Sequence, residues 1–237
     1  MKTNTDLSKL EIEAESLLEQ RKLRRAERVL KRMLATDDKC IGAHFNLARV
    51  YRRTGQFKEA LYHGRKTLRL NPKEKNAHLN VAIIYEVMGH RKQAIRHYKN
   101  ELAGYPNSAQ TLWNLGRLYF DMHRWLDASR CLRNCFDLDY EVEIEDTMDK
   151  LGICYQKLGA VQEYIEVFTR YVQMFPSAAW AYVNLGRALL WTGDYRGAVL
   201  RLGRAKRLDP NRRVTEDLER AKQLLAKKNP HGAVSQN

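Results

Sequence analysis

A 34-residue period runs through this chain. Ala26, Ala60, Ala94, Ala128 and Ala198 stand 34, 34, 34 and 70 residues apart. Pro72, Pro106, Pro176 and Pro210 stand 34, 70 and 34 apart, and Gly55, Gly89, Gly159 and Gly193 repeat the same intervals. A spacing of 70 is two periods with two extra residues, and the insertion falls near 141–144, in the one stretch that lacks its Pro. A period of about 20–50 residues marks a unit that cannot bury its apolar face alone and must stack on its neighbours. Six units result, at 7–40, 41–74, 75–108, 109–144, 145–178 and 179–212, with a partial seventh beyond them.

Each unit reads as two helices. In the second, Leu47, Ala48 and Tyr51 fall at helical spacing, the chain turns at Gly55, and Ala60, Leu61, Leu68 and Leu70 mark a second helix that stops at Asn71-Pro72. Gly55 can take the positive φ of a helix C-terminus, Pro72 cannot continue a helix, and Ala60 is small enough for close approach of the two helices. Residues 213–228 carry Val214, Leu218, Ala221, Leu224 and Leu225 on one face, as expected of a helix covering the exposed end of a solenoid. Residues 1–6 are a lead-in, and 229–237, after Asn229-Pro230, are expected to form a flexible tail.

Composition agrees with a folded helical chain. Hydrophobic residues make up 44% and charged residues 30%, and Gly (13) and Pro (5) are too scarce for a loop-rich β-protein. The longest apolar run, Ala178 to Val183, is far short of the ~18–20 residues that span a membrane. Met1 to Asp6 contain no apolar signal region, so the expectation is a cytoplasmic protein without membrane insertion.

With the period in place, the motifs resemble the tetratricopeptide repeat family. Asn46-Leu-Ala-Arg-Val-Tyr51 with Gly55-Gln-Phe57, Ala60 and Pro72 carries the likeness. So do Leu115-Gly116 with Tyr119, Trp125 and Ala128, and Leu185-Gly186 with Gly193-Asp-Tyr195, Ala198 and Pro210. The likeness covers residues 7–212 and implies an all-α fold, a right-handed α-solenoid of stacked antiparallel helix pairs, six repeats with a C-terminal capping helix. Two units depart from the pattern. The first has Arg21 at the turn Gly and Asp38 at the Pro, and the fifth has Tyr164 at the small packing position, which predicts looser helix packing there.

The family resemblance implies that first helices line a concave groove, with positions two, five, six, nine, twelve and thirteen of each unit facing inward. The sixth position holds Asn46, Asn80, Asn114, Lys150 and Asn184, and the ninth holds Arg49, Arg117 and Arg187 with Ile83 and Ile153 between them. Residues three apart share a helix face, so each Arg is expected beside its Asn. A carboxamide can hold a peptide backbone without reading its side chains, and a guanidinium suits carboxylates. The pattern resembles the asparagine ladders of peptide-gripping tetratricopeptide superhelices. A solvated background Asn, frequent at this position across the family, is the competing explanation. Phe45 and Trp113 take the fifth position, and Trp180 and Trp191 the second and thirteenth of the last unit. These are candidate anchors, or else packing residues against the next repeat or the terminal helix. Trp125 takes an inter-helix packing position and is expected in the core. Lys150 breaks the ladder and is expected to mark a kink or an acidic ligand position. The carboxylate clamp of chaperone-tail-binding members is absent: Glu11 and Glu15, or Phe45 and Arg49, stand where its Lys and Asn belong.

Chemistry-bearing clusters are lacking. His44 and His78, like His63 and His97, are equivalent in adjacent repeats, a separation of roughly 8–10 Å that is wide for shared metal ligation. Cys131, Cys135 and Cys154 form no C-x-x-C pair, and no phosphate-cradling Gly loop or nucleophile–base constellation is present. No enzyme activity, cofactor or metal is expected.

The charge needs placing. Lys and Arg number 42 against 28 Asp and Glu, a formal +14. The six units carry +2, +6, +3, −2, −2 and +5, with +2 from residue 213 onward, so two basic lobes flank an acidic middle from Asp137 to Asp149. Two functions stand against each other. One is a scaffold or adaptor for complex assembly that binds an extended segment of a protein partner bearing acidic and apolar residues, with self-association of acidic middle and basic end as a variant. The alternative is a protein that binds RNA or DNA through its basic lobes, a reading the acidic middle disfavours.

Overall fold

The computed structural model describes residues 4–138, 144–211 and 213–228. These residues form helices and no strand, in the antiparallel succession that the period predicts. The helices are α1 (Asn4–Glu19) and α2 (Leu23–Thr36), α3 (Ile41–Arg53) and α4 (Phe57–Leu70), α5 (Ala77–Val87) and α6 (Arg91–Gly104). They continue as α7 (Ala109–Asp121) and α8 (Trp125–Asp137), α9 (Ile144–Leu158) and α10 (Val161–Met174), α11 (Ala179–Thr192) and α12 (Tyr195–Leu208), and end at α13 (Thr215–Lys228). The insertion at 141–143 and the tail at 229–237 lie outside the described residues. None of the described helices is long and apolar enough to cross a membrane.

One turn geometry joins the helices of every pair. After α3, the Gly55 N–H donates to the Arg52 carbonyl at 3.3 Å and the Gln56 N–H to the Tyr51 carbonyl at 2.8 Å, with Gly55 at φ 78°. This pair of reversed bonds satisfies the last carbonyls of the helix and requires a left-handed residue between them. Gly89, Gly159 and Gly193 occupy the same place at φ 79°, 66° and 77°. Arg21 and His123 adopt it too, at φ 55° and 56°, with the same two bonds around them. The turn therefore survives where the sequence lacks its Gly, at a backbone cost.

The chain divides into two compact units, one holding α1–α6 and α7 as far as Leu118, the other holding the remainder of α7 and most of α8–α13. In the first, α1 packs on α2, α3 on α4 and α5 on α6, and each pair packs on the next. Its core joins Leu18, Ala26, Leu30, Met33, Leu47 and Ala60, all buried. In the second, α9 packs on α10, α11 on α12, and α12 on α13, around buried Met148, Leu151, Phe168, Leu185, Leu202 and Ala221. Small residues set the closest approaches: a Cβ on Gly64 would meet Val81 at 2.7 Å, and one on Gly186 would meet Leu202 at 2.6 Å. The α9–α10 pair makes fewer close backbone approaches than α11–α12. Tyr164 fills that wider space, buried and stacked on Phe168 at 4.4 Å, opposite Gly152.

Candidate functional site

On α3, Asn46 and Phe45 stand three and four residues before Arg49, so each is its neighbour one turn back along the helix. Arg49 Nη1 donates to Asn46 Oδ1 at 3.1 Å, and its guanidinium stands 5.8 Å from the centre of the Phe45 ring. The three side chains line an open hollow of ≈ 560 Å³ together with Glu15, Glu19 and Arg53. Burial, and then the nearby charge of Arg53, holds the Arg49 guanidinium below its usual pKa. Here the structure brings together three residues that the repeat register singles out.

Further along, the Asn–Arg pairing changes. Asn80 of α5 is buried at 8% exposure, with Ile83 beside it. Asn114 of α7 is equally buried and turns back on its own helix, donating Nδ2–H to the Gln110 carbonyl at 2.7 Å. Arg117 reaches instead to Glu86 of α5, and its guanidinium lies 5.5 Å from the Trp113 ring. The other Glu86 oxygen accepts from Tyr98 at 2.7 Å. Glu86 was missed by sequence reasoning, although it holds the inward-facing twelfth position of its own unit. Trp113 is half-buried, and its Nε1–H is buried without an acceptor among the described residues.

In the second unit, Lys150 pairs with Asp146 one turn back along α9 and stands 5.5 Å from the Phe120 ring. Trp180 of α11 packs edge-on to Phe168 at 5.9 Å and against Tyr171 at 5.2 Å, so much of its ring is spent on α10. Its remaining surface lines a hollow of ≈ 480 Å³ with Asn184, Arg187, Glu145, Asp149 and Arg213. Arg187 donates Nε–H to Asp217 of α13 at 2.7 Å, a second pairing that the register of the first helices does not reveal. Burial, then Asp146, raises the Asp149 carboxyl above its usual pKa. Trp191 stands 65% exposed near the end of α11. Trp125 is half-buried, edge-on to Phe120 at 5.4 Å, rather than enclosed in the core.

Histidines meet within repeats. His44 and His63 approach Nδ1 to Nδ1 at 2.8 Å across α3 and α4, and His78 and His97 do the same at 2.9 Å across α5 and α6. The sequence aligns equivalent histidines of neighbouring repeats; the fold pairs inequivalent ones of the same repeat. Among the described residues no group of three His, Cys, Asp or Glu is placed to hold a metal. Burial pushes the Cys135 thiol up to about 12 and Cys154 up to about 11, which leaves both as inert packing groups at neutral pH.

Tetratricopeptide-repeat family profiles match residues 13–75 and 146–178. Those two stretches are tetratricopeptide repeats. The chain is similar in fold to the crystal structure of YrrB, a TPR protein with an unusual peptide-binding site, at 18% identity and a TM-score of 0.60, covering 82% of this chain and 97% of that one. It is also similar to a chain of the APC/C hetero-tetramer Cut9–Hcn1, at 17% identity and a TM-score of 0.58, over 92% of this chain and 43% of that one. A third likeness is to the Naa15/Naa10 structure bound to HypK-THB, at 19% identity and a TM-score of 0.65, over 94% of this chain and 35% of that one. At these identities the likeness is one of fold, and the repeat array spans under half of the last two chains. No curated protein matches the chain in sequence.

Proposed function

We infer that this repeat protein is a non-catalytic interaction scaffold whose first-helix faces bind an extended segment of a protein partner. The observation that carries the reading is the α3 face, where a carboxamide, an aromatic ring and a guanidinium converge on one open hollow. A second such convergence, Trp180 with Asn184, opens on α11. Ordering an extended segment costs about 2–5 kcal/mol, and each net amide hydrogen bond returns only ~0.5–1.5 kcal/mol. Amides alone therefore roughly break even, and the surplus has to come from anchors such as Phe45 and Trp191. The likeness to YrrB, with its peptide-binding site, and to chains of the Cut9–Hcn1 and Naa15/Naa10–HypK-THB complexes supports a binding role for the array. A nucleic-acid strand fits less well, because Glu145 and Asp149 line the α11 hollow beside Trp180 and Asn184, where they repel phosphates.

The test is affinity capture from lysate with the full chain. Phe45→Ala/Asn46→Ala and Asn184→Ala/Trp191→Ala should each lose the partners that the wild type retains. Tyr62→Ala/Leu200→Ala, on exposed positions of α4 and α12, should keep them. The opposite pattern would place binding on the second helices and sink the reading.

A further inference from the structure

The last turn and a half of α3 carries three guanidinium groups, Arg49, Arg52 and Arg53. Residues three and four apart on a helix are neighbours, and like charges there destabilise. No described carboxylate lies within ion-pair distance of any of the three, whereas Arg117 and Arg187, the other arginines of the ninth position, are held by Glu86 and Asp217. Glu86 is engaged by Arg117 at one oxygen and by Tyr98 at the other. Arg49 and Arg52 are half-buried, and burial together with the neighbouring arginines disfavours their charged forms. Arg52 Nε is buried without an acceptor among the described residues. The negative end of the α3 dipole favours an exposed cation such as Arg53, but it does not account for two half-buried guanidiniums crowded against it. Uncompensated charge of this kind is what a protein retains where a ligand completes it.

We propose that Arg49, Arg52 and Arg53 form an anchor for an oxyanion, a carboxylate or phosphate group, carried by the bound peptide. The inference rests on the peptide-binding reading and names the ligand chemistry at its α3 end. Guanidinium forks match such oxyanions with paired hydrogen bonds, and Phe45 and Asn46 beside them would hold the adjoining residue of the peptide. Arg117 of α7 and Arg187 of α11, by contrast, already have carboxylate partners.

The experiment follows the melting temperature of the full chain while titrating inorganic phosphate or N-acetyl-Asp-Glu-amide, with sodium chloride at equal ionic strength as reference. Either probe should raise it beyond the chloride reference, and the stronger response shows whether the natural group is a phosphate or a carboxylate. Arg49→Gln/Arg52→Gln should melt higher than wild type without a probe, because it relieves repulsion, and should weaken probe binding by about tenfold or more. Absence of any probe-specific response overturns the proposal, as does an undiminished response in the double variant. A double variant that melts lower without a probe overturns it too, since the charges would then be structural. Binding of a ten-nucleotide single strand that the triad controls, without a response to either small probe, would assign the cluster to nucleic acid instead. Asn184→Ala separates the two readings: its phosphate response should match wild type even if partner capture is lost. A lost phosphate response with capture intact sinks the anchor alone.

Discussion

Arg117 of α7 donates to Glu86 of α5 across 31 residues of sequence, and Tyr98 donates to the second Glu86 oxygen at 2.7 Å. The carboxylate is 15% exposed, so water screens the pair only partly. Hydrogen bonds to a charged group contribute about 1.5–3 kcal/mol, and Glu86→Gln should lower unfolding stability by an amount in that range. Asp217→Asn removes a partner from Arg187, which is 49% exposed, and should cost under ~1 kcal/mol. Denaturant titration of the two variants gives the comparison; a larger loss at Asp217 contradicts it.

The histidine pairs predict an acid-sensitive fold. His44 donates Nε2–H to the Asp38 carbonyl at 3.0 Å, so in the neutral pair its Nδ1 accepts from His63 Nδ1–H, and the bond is lost when both rings are protonated. Burial, then the charge of His44, pushes His63 down from 6.5 to about 4, and burial with His78 does the same to His97. The unfolded chain takes up these protons near pH 6.5, the folded chain only near pH 4. Between those values the unfolded state binds more protons, so the stabilisation present above 6.5 is lost as the pH falls toward 4. The melting temperature should fall over that window, and His63→Asn/His97→Asn should fall less steeply. A flat wild-type profile counts against the pairs.

Arg21 holds the left-handed position that glycine takes in four other turns. That conformation costs a residue with a Cβ about 1–2 kcal/mol, and glycine offsets part of the gain through its unfolded-state entropy, about 0.5–1 kcal/mol. Arg21→Gly should therefore stabilise the chain by roughly 0.5–1 kcal/mol, and His123→Gly by a similar amount. Calorimetry showing a lower melting temperature for both would contradict the turn assignment.

Gly186 predicts the opposite sign. Alanine usually strengthens a helix by about 1 kcal/mol over glycine, but here its Cβ would stand 2.6 Å from Leu202 Cγ and 2.9 Å from Cδ2. Overpacking costs ~1–3 kcal/mol, so Gly186→Ala should destabilise or be neutral, and Gly186→Ala/Leu202→Val should recover stability. Unfolding curves in which the single variant gains stability would show that α11 and α12 separate more easily than their packing implies.

Helix spans, turns and core positions were legible because they depend on local chemistry repeated at a fixed interval. Ala60 and Ala128 are buried where the period places them, and Gly55 turns where it should. The period was informative even where its residues failed, since Arg21 and His123 accept the glycine conformation that the neighbouring helices impose. The Phe45–Asn46–Arg49 face was legible for the same reason, as all three lie within one helical turn.

Partner choice between helices was decided by the tertiary structure. Spacing places Arg117 beside Asn114, yet a guanidinium on a long stem reaches a charged acceptor in another repeat, and the buried carboxamide bonds to its own helix. Arg187 goes to Asp217 likewise, which leaves Arg49 as the ninth-position arginine with no carboxylate partner among the described residues. The histidines pair across the two helices of one repeat because side-chain direction, and not sequence interval, sets which rings meet. A sequence determines what each helix face carries; which of those groups remain available to a ligand depends on the partners that folding brings within reach.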